Sequence, residues 1–350
     1  MSDLQRVAVD ERVFEGAVSF ERGDGWVRAW RIPFDERRLF PPDDGVPWQA
    51  QKGSGVRLRF RTSSARVGLG FLRVIPEDEE EGGVDPRVYD LTVEGELIGS
   101  KSAGHEDEGV LFEDLPAGEK TVELWLNVHS PTRVTHLLVD AGATADVIAD
   151  DRPRWITYGS SITNCRGAHS PARTWPAVVA RRHGLNLTSL GFGGQCHIDP
   201  MIARVIRDLP ADFVSLKLGI NVCGAGSLSP RSFRPAIIGT VRTIREQHPD
   251  IPIALISPLA SPPHERTPNA VGFSLQMMRE EVEEACGRLV DCGDRNLYYF
   301  NGLDLFTEDD ARAYAEDLVH PNGDGYELVA ENFCEHVMGR LLSAREKSDA

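Results

Sequence analysis

The sequence predicts two folds in tandem, an all-β sandwich of jelly-roll type over residues 1–150 and an α/β domain with a parallel sheet over 151–350. Three observations carry this. The first stretch alternates apolar and polar residues with period two, in short runs set off by Gly, Pro and acidic turns, as half-buried antiparallel strands do. The second alternates short apolar runs with segments of 3.6-residue periodicity, the pattern of a parallel sheet covered by helices on both faces. Between them, Asp150-Asp151-Arg152-Pro153 breaks both patterns. A length of 350 residues suits two domains of roughly 150 each.

In chain order, the strands expected in the first domain are Val56–Thr62 (Val-Arg-Leu-Arg-Phe-Arg-Thr), Arg66–Val74, Val88–Val93, Thr121–Leu126 and Val134–Val139. Turns at Pro76–Gly83 and Leu115–Gly118 separate them. The acidic run Glu77–Glu81 reads as a solvated hairpin tip, because clustered like charges stay hydrated. Trp26, Trp30 and Trp48 suit core packing or stacking on sugar rings, and the sequence leaves both open. In the second domain, strands are expected at Trp155–Tyr158, Leu187–Leu190, Phe213–Leu218, Ile253–Ile256 and Leu297–Phe300. Helices are expected at Trp175–His183, Ile202–Leu209, Ser232–Gln247, Val271–Val290 and Tyr326–Leu342. Sites in such sheets lie beyond the carboxyl ends of the strands.

Four short blocks fall at those ends or after the last strand. Tyr158-Gly-Ser-Ser161-Ile-Thr163 follows the first strand, Leu190-Gly-Phe-Gly-Gly194 the second and Leu218-Gly-Ile-Asn221 the third, while Asp317-Leu-Val-His320-Pro321 comes near the C-terminus. A neutral serine is a poor nucleophile until a base takes its proton and a carboxylate holds that base. Asp317, three residues before His320, can share a loop or helical turn with it. Ser161 at a strand-to-helix turn can meet the imidazole in space. Glycine amides and an asparagine side chain are common oxyanion donors. The glycine-rich block lacks the G-x-G-x-x-G spacing and the Lys-Ser/Thr of phosphate-binding loops, so it does not predict nucleotide binding.

In this order the four blocks resemble the SGNH, or GDSL-type, family of serine esterases and acyltransferases, over about residues 152–342. The resemblance implies Ser161, Asp317 and His320 as catalytic residues, with an oxyanion hole made by the amides of Ser161 and Gly194 and the side chain of Asn221. It also implies a flavodoxin-like three-layer α/β/α fold. The sequence departs from the family at Ser160, where Gly-Asp-Ser has its Asp, and at Val222, where Gly-x-Asn-Asp has its last Asp. Val88–Gly95 is similar to the strand and turn of an N-terminal β domain that precedes some GDSL-type enzymes. The two-domain layout resembles GDSL-type acyltransferases that tailor polyketide antibiotics, those of salicylyl-transferring type included.

The expected activity is therefore transfer of an acyl group from an ester or thioester to a small-molecule alcohol. The alternatives are an ester hydrolase, such as a carbohydrate deacetylase, and a catalytically silent binding module. No cofactor and no metal is expected, and acyl-CoA is one candidate donor. A formal charge of −16 gives no field to attract nucleic acid or anionic membranes. No apolar run approaches the ~20 residues that span a bilayer. The N-terminal residues contain no apolar core of a secretory signal, which points to the cytoplasm. The expected partners are thus a small acyl donor and an alcohol acceptor, with oligomeric state left open. All six cysteines follow residue 160, and three follow the site blocks closely: Cys165, Cys196 and Cys223. Reduced thiols near the site mouth are expected, since paired Cys-x-x-Cys spacing of structural zinc is absent and zinc held with His197 is the weaker reading.

Overall fold

The computed structural model describes residues 3–40, 42–73 and 87–348; the acidic run Glu77–Glu81 and the end of the expected strand Arg66–Val74 lie outside the described residues. The chain forms two compact units. The first comprises Met1–Arg38, Pro47–Arg152 and Ser170–Ala172, and the second Leu39–Val46, Pro153–His169 and Arg173–Ala350.

The first unit contains β1 (Leu4–Ala8), β2 (Phe14–Glu15), β3 (Ser19–Gly23), β4 (Trp26–Trp30), β5 (Arg57–Thr62), β6 (Val67–Phe71), β7 (Arg87–Val93), β8 (Glu96–Ala103), β9 (Gly109–Phe112), β10 (Lys120–Trp125) and β11 (Val134–Asp140). They form two antiparallel sheets, β3-β4-β11-β6-β9 with β1 also on β11, and β2-β5-β10-β7-β8. Both sheets feed one core. In β5, Leu58 and Phe60 are fully buried while Arg61 is exposed, and Val67, Leu69, Leu91, Val122 and Leu137 join them from neighbouring strands. Each such side chain contributes about 1.5–3 kcal/mol by leaving water. Every strand expected from alternation is present. The strands not foreseen include β1, β3 and β8, which are mostly exposed or half-buried; β1 and β3 set only Val7 and Phe20 against the core, too little to read as an alternating run.

Trp30 is buried and its Nε1–H donates to Glu21 at 3.1 Å; Trp26 faces the guanidinium groups of Arg28 and Arg133, and Trp48 faces the Lys52 ammonium. Trp30 is thus a core ring, while Trp26 and Trp48 are half-buried beside protein cations. The break at Asp150–Pro153 holds a buried charge network. Glu123 is 3% exposed and takes Arg57 and Arg152, while Arg152 also binds Asp150. Removing one member of such a network strands the others in a dry interior, which typically costs about 3–5 kcal/mol.

The second unit is built on β12 (Arg154–Gly159), β13 (Asn186–Gly191), β14 (Phe213–Lys217), β15 (Ile253–Ile256) and β16 (Leu297–Phe300), all parallel, in the order β13-β12-β14-β15-β16. The short α1 (Val46–Ala50) falls in the first unit from Pro47 on, and the helices of the second are α2 (Ser161–Asn164), α3 (Trp175–His183), α4 (Pro200–Asp208), α5 (Ile220–Ala225), α6 (Pro230–Arg245), α7 (Leu275–Asp291), α8 (Glu308–Tyr314), α9 (Gly323–Phe333) and α10 (Gly339–Ser348). They pack in two groups, α3 with α9 and α6 with α4 and α7. This is the flavodoxin-like α/β/α arrangement, whose strand order reverses between β12 and β14.

Local chemistry sets the helix limits. The Thr174 side chain caps α3 and Gly184, at φ +59°, ends it. Helix α7 starts at Leu275, four residues after the expected Val271, because Ser274 accepts from the Met277 amide and Gly272 sits at φ +80°. The helix expected at Tyr326–Leu342 begins earlier, where Asn322 caps Gly323, and passes through a π turn at Cys334–Met338 into α10. Trp155 of β12, Trp175 of α3 and Phe333 of α9 pack ring on ring, with centroids 4.9–5.9 Å apart. Among the described residues no helix is long and apolar enough to cross a membrane.

Candidate active site

Strand β12 ends at Gly159, and Ser160 turns the chain into the one-turn helix α2. Close approach makes this turn. A Cβ at Gly159 would lie 2.2 Å from Thr163 Oγ1, and one at Gly191, at the end of β13, would lie 2.4 Å from the Asn164 amide nitrogen. Only glycine lets the two strand ends and α2 meet at that distance. Ser160 is fully buried and its Oγ accepts from the Ile162 amide at 3.3 Å, which caps α2. Cys165, at φ +59°, returns its N–H to the Ser161 carbonyl at 2.8 Å. Ser161, the first residue of α2, is half-buried and faces the site.

Its Oγ lies 2.8 Å from His320 Nε2, and His320 Nδ1 lies 2.6 Å from Asp317 Oδ2. The other oxygen, Asp317 Oδ1, accepts from the Val319 amide at 2.9 Å and the His320 amide at 2.7 Å. The carboxylate therefore spans the turn it belongs to, and Leu318 takes a left-handed φ of +60° to let it. Partial burial pushes the Asp317 carboxyl up, but hydrogen bonds from the His320 ring and from the two amides outweigh it and hold it below the ordinary carboxylate range. With Asp317 ionised, His320 carries its proton on Nδ1 and leaves Nε2 to accept from Ser161. Beyond the imidazole the chain is pinned again. The His169 ring covers Gly323, where a Cβ would meet it at 2.5 Å, and His169 Nε2 lies 2.7 Å from Asp324 Oδ1. Glu327 completes a group of three ligand-type side chains within 4.8 Å of one another, and it already takes Arg173 at 2.6 Å.

Three hydrogen-bond donors without partners among the described residues follow the carboxyl ends of the three neighbouring strands β13, β12 and β14. Among the described residues the Ser161 and Gly194 amides make no hydrogen bond, and Gly194 takes φ +70°. Asn221 Oδ1 accepts from the Cys196 amide at 3.0 Å, which fixes the amide plane and leaves Nδ2 as the uncommitted donor. The same bond ties the loop after β13 to helix α5. His197 ties it again, with Nε2 at 3.0 Å from the Gly194 carbonyl oxygen and Nδ1 at 2.8 Å from Ser227 Oγ. Ile198 sits at φ +64°, rare for a β-branched residue, and its amide donates to the Tyr158 hydroxyl at 3.2 Å. Serine attack on a carbonyl needs a base behind the nucleophile and donors ahead of it, and this arrangement can supply both.

All the sequence-derived site residues, Ser161, Gly194, Asn221, Asp317 and His320, thus fall in the second unit. The thiols need correction. Cys165, Cys196 and Cys223 are at most 1% exposed and lie beneath the strand ends, so they do not line the mouth. Burial pushes Cys165 and Cys223 up and Cys196 up to about 12, which leaves them inert. His197 bridges the oxyanion loop to the residues after α5, with one ring nitrogen on the Gly194 carbonyl and the other on Ser227, a role with no motif to announce it.

Residues 157–328 match the GDSL-like Lipase/Acylhydrolase family, and residues 12–132 match the SsfX3 N-terminal domain. Among solved structures, the chain is similar to the salicylyl-acyltransferase SsfX3 from a tetracycline biosynthetic pathway, at 35% identity and TM-score 0.87, over 95% of this chain and 96% of that one. A putative GDSL-like lipase from Bacteroides ovatus ATCC 8483 superposes with TM-score 0.77 at 21% identity, over 97% and 98% of the two chains. A family two carbohydrate esterase from Clostridium thermocellum does so with TM-score 0.63 at 14% identity, over 97% and 98%. The last two likenesses speak to fold alone. A search of curated proteins finds no match.

Proposed function

The chain belongs to the GDSL-like lipase/acylhydrolase family, and we propose that it is a serine acyltransferase that passes an acyl group from an ester or thioester donor to a small-molecule alcohol through a Ser161 acyl-enzyme. The observation that carries the chemistry is the unbroken relay from Ser161 Oγ to His320 Nε2 at 2.8 Å and from His320 Nδ1 to Asp317 Oδ2 at 2.6 Å. His320 takes the serine proton as Oγ attacks the donor carbonyl. Asp317 fixes the tautomer and stabilises the imidazolium. The Ser161 and Gly194 amides and Asn221 Nδ2 receive the oxyanion. Collapse expels the alcohol or thiol of the donor, which takes the proton back from His320, and the acceptor hydroxyl then repeats the sequence in reverse. Neither metal nor cofactor enters these steps, and an acyl-CoA is one suitable donor.

Transfer rather than hydrolysis is favoured by 35% identity to a salicylyl-acyltransferase across nearly the whole of both chains. To outcompete water at about 55 M, the enzyme must orient the acceptor hydroxyl at the acyl carbonyl, and such positioning reaches effective molarities of about 10⁵ M or more. We assign this positioning to the segment 259–273, which is anchored by the buried Arg279–Glu265 pair at 2.7 Å and tied to α5, the helix of Asn221, where Asn269 Nδ2 donates to the Cys223 carbonyl at 2.8 Å; Val271 in it is 37% exposed. The acyl-enzyme is expected to partition toward ester when offered a panel of small and polycyclic alcohols, measured as new ester against free acid. Free acid dominating with every acceptor, together with fast turnover of simple acetyl esters, would replace this reading with an ester hydrolase.

A further inference from the structure

Lys217 closes strand β14 and is 3% exposed, yet it has no carboxylate partner among the described residues. Its Nζ donates to Ser160 Oγ at 3.4 Å, and that is its one hydrogen-bond partner among the described residues. The other groups that bear on it electrostatically are the thiols of Cys165, from the end of α2, and Cys196, from the oxyanion loop. Both thiols are held neutral by burial, and Asp199 and Tyr158 act on Cys196 rather than on the lysine. A buried ammonium without a counter-ion is costly to keep. This one sits beside the residue that immediately precedes the nucleophile, at the position where the family's first block carries an aspartate.

On the acyl-transfer reading above, a negative charge develops at the next residue, Ser161, but only in the transition state, as the oxyanion. We propose that Lys217 is a positioning residue for catalysis: it holds the nucleophile turn through Ser160 and keeps an unpaired positive charge behind Ser161, whose counter-ion is the oxyanion of the tetrahedral intermediate. A ground-state carboxylate at residue 160 would neutralise that charge; serine does not. An interaction made only in the transition state raises kcat and leaves KM nearly untouched.

Burial pushes the Lys217 ammonium down to about 8, with the thiols too weakly coupled to restore it. The charge is present below that pH and lost above it, so the rate falls on the alkaline side. Stability runs the opposite way. Between about 8 and the ordinary lysine value near 10.4 the unfolded chain binds the proton that the folded chain has lost, so folding strengthens as pH rises through that window.

The test compares Lys217→Met and Lys217→Gln with the unaltered protein, reading kcat and KM from pH 6 to 10, thermal unfolding at pH 7, and the intact mass of the acyl-enzyme. Both variants are expected to lose about ten- to a hundred-fold in kcat at pH 7, less than or comparable to loss of a direct oxyanion donor, with KM little changed. Both should lose the alkaline limb near pH 8 and unfold at a higher temperature at pH 7. A lysine that only braces Ser160 predicts lower stability and rescue by Gln. The inference is overturned by an unaltered protein without an alkaline limb, by a limb that survives in either variant, or by wild-type kcat in Lys217→Gln. Failure of the acyl-enzyme reading shows separately, as the absence of a Ser161 adduct in the unaltered protein.

Discussion

Replacing Ser161 with Ala is expected to lower kcat by about a million-fold, the scale on which serine hydrolases respond to loss of the nucleophile, leaving the residual rate that binding and oxyanion donors provide. The neighbouring hydroxyl cannot substitute. Ser160 Oγ is buried and committed to the Ile162 amide and the Lys217 ammonium, while Ser161 Oγ meets His320. Ser160→Ala keeps the His320 contact and is expected to retain substantial activity. The check is kcat/KM for an activated ester on both variants, with circular dichroism to show that each is folded. An active Ser161→Ala beside a dead Ser160→Ala would shift the nucleophile by one residue.

The second large loss is expected for Asp317→Asn, about 10⁴-fold in kcat. The two carboxylate oxygens have different duties here. Oδ1 accepts from two backbone amides and Oδ2 accepts from the imidazole. In the variant, the asparagine oxygen is claimed by the two amides, because its NH₂ cannot accept from them. The NH₂ then faces His320 Nδ1 and donates to it, which moves the imidazole proton to Nε2. A base protonated on that nitrogen cannot take the serine proton. Because the backbone hydrogen bonds survive, the fold and KM are expected to change little while kcat collapses. Steady-state kinetics on folded protein checks this; equal loss in kcat and unfolding temperature would make Asp317 a brace for the turn and no more.

Much of this was legible in the sequence, and the reasons differ by element. Ile253–Ile256, Leu297–Phe300 and Trp175–His183 coincide with their observed limits, because both strands, the first fully buried and the second buried at Leu297 and half-buried beyond it, are unbroken apolar or aromatic runs, and a Thr cap with a terminal Gly brackets the helix. The β domain was read only where a strand has one dry face. Strand β8 has no such face, and β1 sets only the half-buried Val7 against the core. The site residues were visible because nucleophile, base, carboxylate and oxyanion donors each demand a particular side chain. Their supports were not. Lys217 looks like the polar end of an apolar run, and only burial beside Ser160 shows that its charge is unpaired among the described residues. His197 looks like a zinc ligand or a surface residue until its two ring nitrogens are seen to bridge the oxyanion loop to Ser227. The segment Leu39–Val46 belongs with the second unit although it is embedded in the β-rich half. Within that unit Gly45 lies so close to Gln195 that a Cβ would sit 2.7 Å from its Oε1. No local pattern encodes such a tertiary exchange.

The covalent intermediate itself is the most direct thing to measure. The protein, Ser161→Ala and Asp317→Asn are each incubated with activated acetyl and aryl thioesters, quenched in acid within seconds, and weighed intact before peptide mapping. A single acyl group mapped to Ser161 is expected in the unaltered protein, absent in Ser161→Ala and formed far more slowly in Asp317→Asn. Acylation that persists in Ser161→Ala, or that maps to a cysteine or to Ser160, would contradict the serine acyl-enzyme on which the proposed transfer depends.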